Sequence, residues 1–124
     1  GWAYAHPLPA ELRTGAYRQT AQRIAALAPE AKSFAAVEVG VFAYYLPKMS
    51  AIDLTGLTSS RGEFVTGTRN DQFFEKPADI LIAYNPPTDF EKPLLQDQRF
   101  SAHYVLIGES TLSGFGSLNI FRMK

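Results

Sequence analysis

Two acidic residues are the side chains best placed to do chemistry, because each stands at the end of an apolar run. Glu38 follows the run that begins at Phe34, and Asp53 follows Ile52 in a second, shorter run. In open α/β sheets, ligands bind beyond the carboxyl ends of the strands, so two acids at such ends would face one crevice. There they would hold sugar hydroxyls, bind a cation or act as an acid–base pair. The alternative is that each acid caps a turn or a helix by accepting hydrogen bonds from backbone amides.

Glycines and aromatic residues follow the two acids in the sequence. Gly40 and Gly56 are predicted to set tight turns, since neither belongs to a G-x-G-x-x-G or G-x-x-x-x-G-K-[ST] phosphate-binding motif. Tyr44 and Tyr45 come soon after Gly40, and their rings could either stack on a sugar or close the core. The candidate ligand-binding residues are therefore Glu38, Tyr44, Tyr45 and Asp53. No residue is assigned a catalytic role.

The composition conflicts with several classes of function. The 124 residues include 12 basic and 12 acidic side chains, without the basic excess that nucleic-acid binding requires. The absence of cysteine excludes zinc–thiolate sites, disulfides and cysteine nucleophiles. Neither His6 nor His103 has a carboxylate at metal-ligand spacing, and no serine stands in a G-x-S-x-G motif. We therefore expect no metal, no other cofactor and no nucleic-acid partner.

The elements that must position these residues alternate between helix and strand. The apolar residues from Tyr17 to Ala28 have helical spacing, with Thr14 as the predicted N-cap and Pro29 ending the helix. Short helices are predicted near 41–46 and 71–75. Five strands are predicted at 33–39, 49–54, 80–84, 100–108 and 117–122, the first three in the order 2-1-3.

This pattern predicts an α/β fold: a small Rossmann-like, mostly parallel sheet with helices on its faces and a C-terminal antiparallel hairpin. Residues 1–15, which include Pro7 and Pro9, are predicted to be an extended lead-in, and residues 16–124 a single α/β domain. No stretch reaches the roughly 18 apolar residues of a membrane span. Because Gly1 is not an initiator residue, we expect the chain to be a fragment of a longer protein.

One part of the chain resembles a known family. The segment from Val37 to Pro47, followed by the segment from Ile52 to Leu57, fits the pattern E-x-G-x-x-x-Y-Y … hydrophobic-D-x-x-G-L. This pattern is similar to that in the soluble C-terminal regions of bacterial polytopic GT-C type glycosyltransferases, which use polyprenyl-phosphate sugars. These enzymes resemble the dolichyl-phosphate-mannose protein mannosyltransferases and the arabinofuranosyltransferases. The later run from Lys76 to Ile82 also resembles a strand entry in those regions.

The resemblance implies a non-catalytic accessory domain outside the cytoplasm, periplasmic or on the outer face of the cell membrane. It would be tethered to the membrane-embedded part of the same polypeptide and would position an acceptor glycan or protein. The catalytic acid of such enzymes lies in the membrane portion, so none is carried over to this chain. Three alternatives stay open: a free-standing small-molecule or carbohydrate-binding module, a small hydrolase that uses Glu38 and Asp53, and a spacer or assembly domain.

Overall fold

The computed structural model describes residues 10–56 and 66–124, so residues 1–9 of the predicted lead-in lie outside the described part of the chain. The helices are α1 (Ala10–Leu27), α2 (Val39–Tyr45), α3 (Thr66–Glu75), α4 (Lys92–Gln96) and α5 (Gln98–His103). The strands are β1 (Ser33–Ala36), β2 (Ser50–Asp53), β3 (Ile80–Asn85), β4 (Tyr104–Thr111) and β5 (Ser117–Met123). A 3-10 turn, Leu54–Gly56, follows β2 directly.

The strands form one mixed sheet in the order β2-β1-β3-β5-β4. β1 pairs in parallel with β2 and β3, whereas β5 pairs antiparallel with β3 and β4. The predicted 2-1-3 order and the C-terminal hairpin are therefore confirmed. A mostly parallel sheet is correct only for the first three strands, because the two pairings of β5 are antiparallel.

Helices cover both faces of the sheet. Tyr17 of α1 contacts Tyr84 of β3, whereas Phe100 of α5 packs edge-on against Phe121 of β5 at 4.9 Å between ring centroids. Phe121 lies opposite Leu81, and residues three apart on a strand point to opposite faces, so α1 and α5 lie on opposite sides. β3 is buried from Ile80 to Tyr84 as a result, which explains its continuous apolar sequence.

Three predicted boundaries differ from the structure. α1 begins at Ala10, so residues 10–15 are helical rather than extended and Thr14 lies inside the helix, not at its N-cap. This segment contains alanine, glutamate, leucine and arginine, which are strong helix formers. β1 ends at Ala36 rather than at residue 39, because Val39 already opens α2.

The third difference concerns Phe100, which belongs to α5 and not to β4. The carboxylate of Asp97 accepts a hydrogen bond from the Arg99 backbone N–H at 2.9 Å and caps this helix. The polar segment predicted at 71–75 is likewise part of a longer helix, α3.

The β4–β5 connection depends on Gly116, whose φ is +94°. A Cβ at this position would lie 2.0 Å from the Asn85 backbone oxygen, so the hairpin loop packs directly against the end of β3. Gly114 in the same loop has a φ of +85°, but a Cβ there would meet nothing within 4 Å.

These two glycines give a matched pair of substitutions. We expect Gly114→Ala to cost about 1–2 kcal/mol of unfolding free energy, because only the left-handed backbone opposes the methyl group. Gly116→Ala should cost clearly more, roughly 3 kcal/mol or above, because backbone strain adds to a clash with a carbonyl that cannot move freely. Urea denaturation of both variants measures the difference, and equal losses would contradict the close packing of this loop against β3.

Candidate functional site

The carboxyl ends of β1, β2 and β3 lie at one edge of the sheet, which we call the carboxyl edge. Ala36 of β1 lies opposite Asp53, the last residue of β2. Glu38 follows two residues after Ala36, at the N-cap position of α2. The two acids singled out in the sequence are therefore brought to the same edge.

Asp53 has a structural role in the turn that follows β2. Its Oδ1 accepts hydrogen bonds from the Thr55 backbone N–H at 2.9 Å and from the Thr55 hydroxyl at 2.6 Å. This is the alternative in which the acid fixes a turn through local bonds. Gly56 closes the turn, and a Cβ there would lie 3.7 Å from the Asp53 Cβ, an ordinary contact.

Glu38 is placed differently, because its side chain is partly exposed and does not cap α2. Among residues 10–56 and 66–124, no side chain or amide forms a hydrogen bond with its carboxylate. Its negative charge contributes to the raised pKa of Tyr84, so this acid lies near the end of β3. Glu38 thus stands beside the carboxyl ends of β1 and β3, which are neighbours in the sheet.

The hydroxyls of Tyr17 and Tyr84 share a buried hydrogen bond of 2.5 Å beside this acid. Burial raises the pKa of Tyr84, and the bond to Tyr17 and the negative charges of Glu38 and Glu91 raise it further. The Tyr84 phenol therefore stays protonated at neutral pH. Since both rings are buried, the pair joins α1 to the end of β3 from within.

A buried acid, Glu91, ties the end of β3 to the segment that precedes α4. Its two carboxyl oxygens accept hydrogen bonds from the backbone N–H groups of Tyr84 at 2.9 Å and Thr88 at 2.7 Å. Burial raises the pKa of Glu91 to about 7, because the loss of hydration outweighs the two amide bonds that favour the charged form. The acid is 1% exposed and acts as an internal brace.

A buried cation, Arg69, performs a similar task on the other side of the carboxyl edge. Its guanidinium donates to the backbone oxygen of Leu54, just after β2, and to that of Phe90 at 3.3 Å. Burial lowers its pKa. The turn after β2 is thereby linked to the segment after β3, which holds the two flanks of the edge together.

The two tyrosines predicted to share the crevice lie elsewhere. α2 begins at the carboxyl edge and runs back along the sheet, so Tyr44 is displaced from Glu38 by about 9 Å along the helix axis at 1.5 Å per residue. Tyr45 lines a groove of about 310 Å³ between the end of α1 and the α2–β2 connection. Tyr44 is 78% exposed and meets Tyr45 edge-on.

Gly40 also departs from its predicted role. It lies in the first turn of α2 and not in a separate tight turn, and a Cβ there would meet nothing within 4 Å. The structure therefore brings together Glu38, Asp53 and Gly56 but leaves Gly40, Tyr44 and Tyr45 in other settings.

Across residues 10–56 and 66–124, no group of three histidine or acidic side chains is arranged to hold a metal ion. None of the helices within those two ranges combines the length and the apolar character needed to span a bilayer.

Comparison of the chain with protein-family models, with curated proteins and with solved structures finds no match. The resemblance to GT-C type glycosyltransferases, the extracytoplasmic location and the carbohydrate acceptor therefore stay predictions.

Sequence reasoning missed four residues at the carboxyl edge. Tyr17 and Tyr84 could have been suspected, since each is a tyrosine at the end of an apolar pattern and a buried hydroxyl needs a partner. Glu91 and Arg69 gave no comparable signal, because each occurs in a polar stretch typical of exposed loops and surface helices.

The tyrosine pair can be tested by removing one hydroxyl at a time. We expect Tyr17→Phe and Tyr84→Phe each to lose about 1–2 kcal/mol of unfolding free energy, because the remaining buried hydroxyl loses this bond. The double variant should lose less than the sum of the two. Tyr44→Phe, which removes an exposed hydroxyl, is the control and should change stability by under about 0.5 kcal/mol. Additive losses in the double variant would contradict the bond.

Glu91 predicts an unusual pH dependence of stability. Since its pKa rises from 4.5 to about 7 on folding, the folded chain holds an extra proton between these values. The extra proton stabilises the folded chain. Its contribution to the free energy of unfolding is complete below pH 4.5 and falls as the pH rises towards 7. It amounts to at most about 3 kcal/mol at 1.36 kcal/mol per pKa unit.

Glu91→Gln should remove that slope, as measured by urea denaturation at a series of pH values from 4.5 to 8. The variant should also be less stable than the parent at pH 5, because an amide nitrogen cannot accept from the second backbone N–H. Glu75→Gln, at an exposed position, is the matched control. An unchanged slope in Glu91→Gln would show that another group titrates in this range.

Proposed function

We propose that this chain is a non-catalytic accessory domain that binds a hydroxyl-rich acceptor, a carbohydrate, at the carboxyl edge. The observation that carries the proposal is the partly exposed Glu38 carboxylate at the carboxyl edge, which does not cap α2. A carboxylate accepts hydrogen bonds from neighbouring sugar hydroxyls, and it stands where the crossovers from β1 and β2 diverge. The order β2-β1-β3 supports a Rossmann-like interpretation of this half of the sheet.

The membrane-enzyme context of the proposal rests on the sequence resemblance. In that context the domain lies outside the cytoplasm, tethered to a membrane-embedded glycosyltransferase, and presents the acceptor to it. The pattern residues Glu38, Asp53 and Gly56 all lie at the carboxyl edge, which is consistent with a shared purpose of that motif. A free-standing carbohydrate-binding module would use the same crevice.

A hydrolase is less well supported than a binding domain. A two-carboxylate mechanism needs both acids free to exchange protons or attack across an open cleft. Asp53 instead uses one oxygen to accept two bonds that hold its own turn. We therefore assign Glu38 a binding role and leave the reaction to another part of the proposed parent enzyme.

The proposal predicts localised NMR shifts when the ¹⁵N-labelled chain is titrated with mannose- and arabinose-containing oligosaccharides. Backbone signals of residues 36–39 and 84–85 should move, because these lie around the Glu38 carboxylate. Glu38→Gln should weaken binding about five- to tenfold, the loss expected for one charge-assisted hydrogen bond.

Tyr44→Ala is the control, because this exposed residue lies at the far end of α2 and should leave the titration unchanged. Shifts that cluster around Tyr44 and Tyr45 instead would move the site to the groove beside α1. If no oligosaccharide produces localised shifts, the carbohydrate proposal fails and a spacer role gains support.

A further inference from the structure

β4 is an outer strand of the sheet, and one long side of it has no partner strand among the described residues. It contains eight residues, Tyr104–Thr111, and its pairing in the described chain is with β5. The opposite outer strand, β2, has four residues and ends in the Asp53 turn. An unpaired strand edge presents a row of backbone donors and acceptors to any chain that can align with it.

The hydrogen bonds of β5 show which backbone groups of β4 point outward. Lys124 N–H donates to the His103 oxygen at 2.8 Å, whereas Met123 N–H donates to the Asp79 oxygen at 2.9 Å, away from β4. Tyr104, opposite Met123, therefore directs its backbone C=O to the open side, while its N–H donates to the Phe100 oxygen at the end of α5. Leu106 directs both its N–H and its C=O to the open side.

A β-bulge changes this alternation in the middle of the strand. Leu106 lies opposite Phe121 and Gly108 opposite Ile120, so Ile107 is the extra residue. Beyond the bulge, Leu112 N–H donates to the Gly116 oxygen at 2.8 Å, which shows that Leu112 faces β5. The outward residues after the bulge are therefore the odd-numbered Glu109 and Thr111.

Apolar side chains accompany these open backbone groups. Val105 is 40% exposed and Leu106 is 50% exposed, and as neighbours on a strand they project from opposite faces. Leu27 of α1 is 45% exposed, and its Cδ1 lies 3.2 Å from where a Gly108 Cβ would be. Three of the four exposed large hydrophobic residues in the described chain thus gather along this edge.

The β4 edge also lacks the side chains that usually prevent an outer strand from pairing with another chain. Between Tyr104 and Thr111 there is no lysine, arginine or proline, and Glu109 is the one charged residue. The formal charge of the whole chain is zero, so two copies would not repel each other at long range. The β-bulge at Ile107 still hinders pairing with a regular strand, so a partner strand has to match its irregular spacing.

A second copy of the chain accommodates the bulge by symmetry. A two-fold axis through the two bulges places Leu106 opposite Glu109 of the second copy, where each residue offers both backbone groups. It also places Tyr104 opposite Thr111 of the second copy, where the Tyr104 C=O can accept from the Thr111 N–H. Leu106 and Glu109 lie on the same face, since their β5 partners are Phe121 and Asn119. The axis passes close to Gly108, so the two Leu27 side chains approach each other across it.

We propose that two copies of this chain associate through antiparallel pairing of β4 with β4, which forms one continuous ten-stranded sheet. The interaction buries Leu27, Val105 and Leu106 of each copy and leaves the carboxyl edge with Glu38 accessible. Self-association is therefore independent of the proposed carbohydrate binding, and either can fail without the other.

Sedimentation equilibrium of the purified 124-residue chain tests the proposal up to roughly 500 µM, a range in which a contact of micromolar affinity is well populated. We expect a monomer–dimer equilibrium. Leu106→Glu should raise the dimer dissociation constant at least about tenfold, because its carboxylate would lie directly opposite that of Glu109 in the second copy. The matched control is Ala51→Glu, at an exposed position on the opposite outer strand, and it should leave the dissociation constant unchanged.

The proposed β4–β4 register can be tested separately. Because the chain contains no cysteine, an introduced thiol is the only thiol present. A mixture of Leu106→Cys and Glu109→Cys chains should form mixed disulfides faster than either variant forms its own, as only the mixed pair lies directly opposite. The proposal in this form would be overturned by a purely monomeric chain or by a dimer unaffected by Leu106→Glu. A dimer lost equally in Ala51→Glu, or no preference for the mixed disulfide, would also overturn it.

Discussion

The pairing of β3 with strands of opposite direction on its two sides is the constraint on which the rest of the structure depends. β3 joins the parallel half of the sheet, through β1, to the antiparallel hairpin, through β5. Its residues from Ile80 to Tyr84 are all buried, so helices must cover both faces. Tyr84, the last of them, makes the two contacts that define the carboxyl edge. Its hydroxyl shares a hydrogen bond with that of Tyr17, and its backbone N–H donates to the Glu91 carboxylate.

The buried charges at this edge act as braces between segments that the sheet alone would leave unconnected. Removing a carboxylate or a guanidinium from water is costly, and such groups persist where several hydrogen bonds satisfy them. Glu91 binds two backbone amides on either side of the turn after β3, and Arg69 links backbone carbonyls that follow β2 and β3. The edge that presents Glu38 is thus stabilised from within by residues that do not face solvent.

The sequence predicted the strands of the sheet better than it predicted the candidate site. The strands depend on local residue patterns, whereas the site depends on contacts between residues that are far apart in the sequence. Apolar runs such as the one ending at Tyr84 are local, so the strands could be anticipated from the sequence. Their order depends on which strands pair, and no local pattern determines it. The positions of Glu38 and Asp53 at strand ends are also local. The direction of α2 carries Tyr44 away from them, and helix direction follows from the crossover rather than from residue spacing. The role of Arg69 depends on partners 15 and 21 residues away, which no short pattern reveals.

Asp53 and Glu38 show why similar positions in a sequence need not give similar roles. Both acids follow an apolar strand and precede a short helical segment, yet Thr55 supplies Asp53 with two donors within its own turn. Glu38 is followed by Val39 and Gly40, which carry no side-chain donor, and the helix that starts there leaves its carboxylate uncapped. The Glu38 carboxylate is uncapped and partly exposed, so it keeps the hydrogen-bonding capacity that Asp53 uses in its own turn. The difference between a turn-forming acid and an uncapped acid at this edge therefore comes from the residue two positions further along the chain.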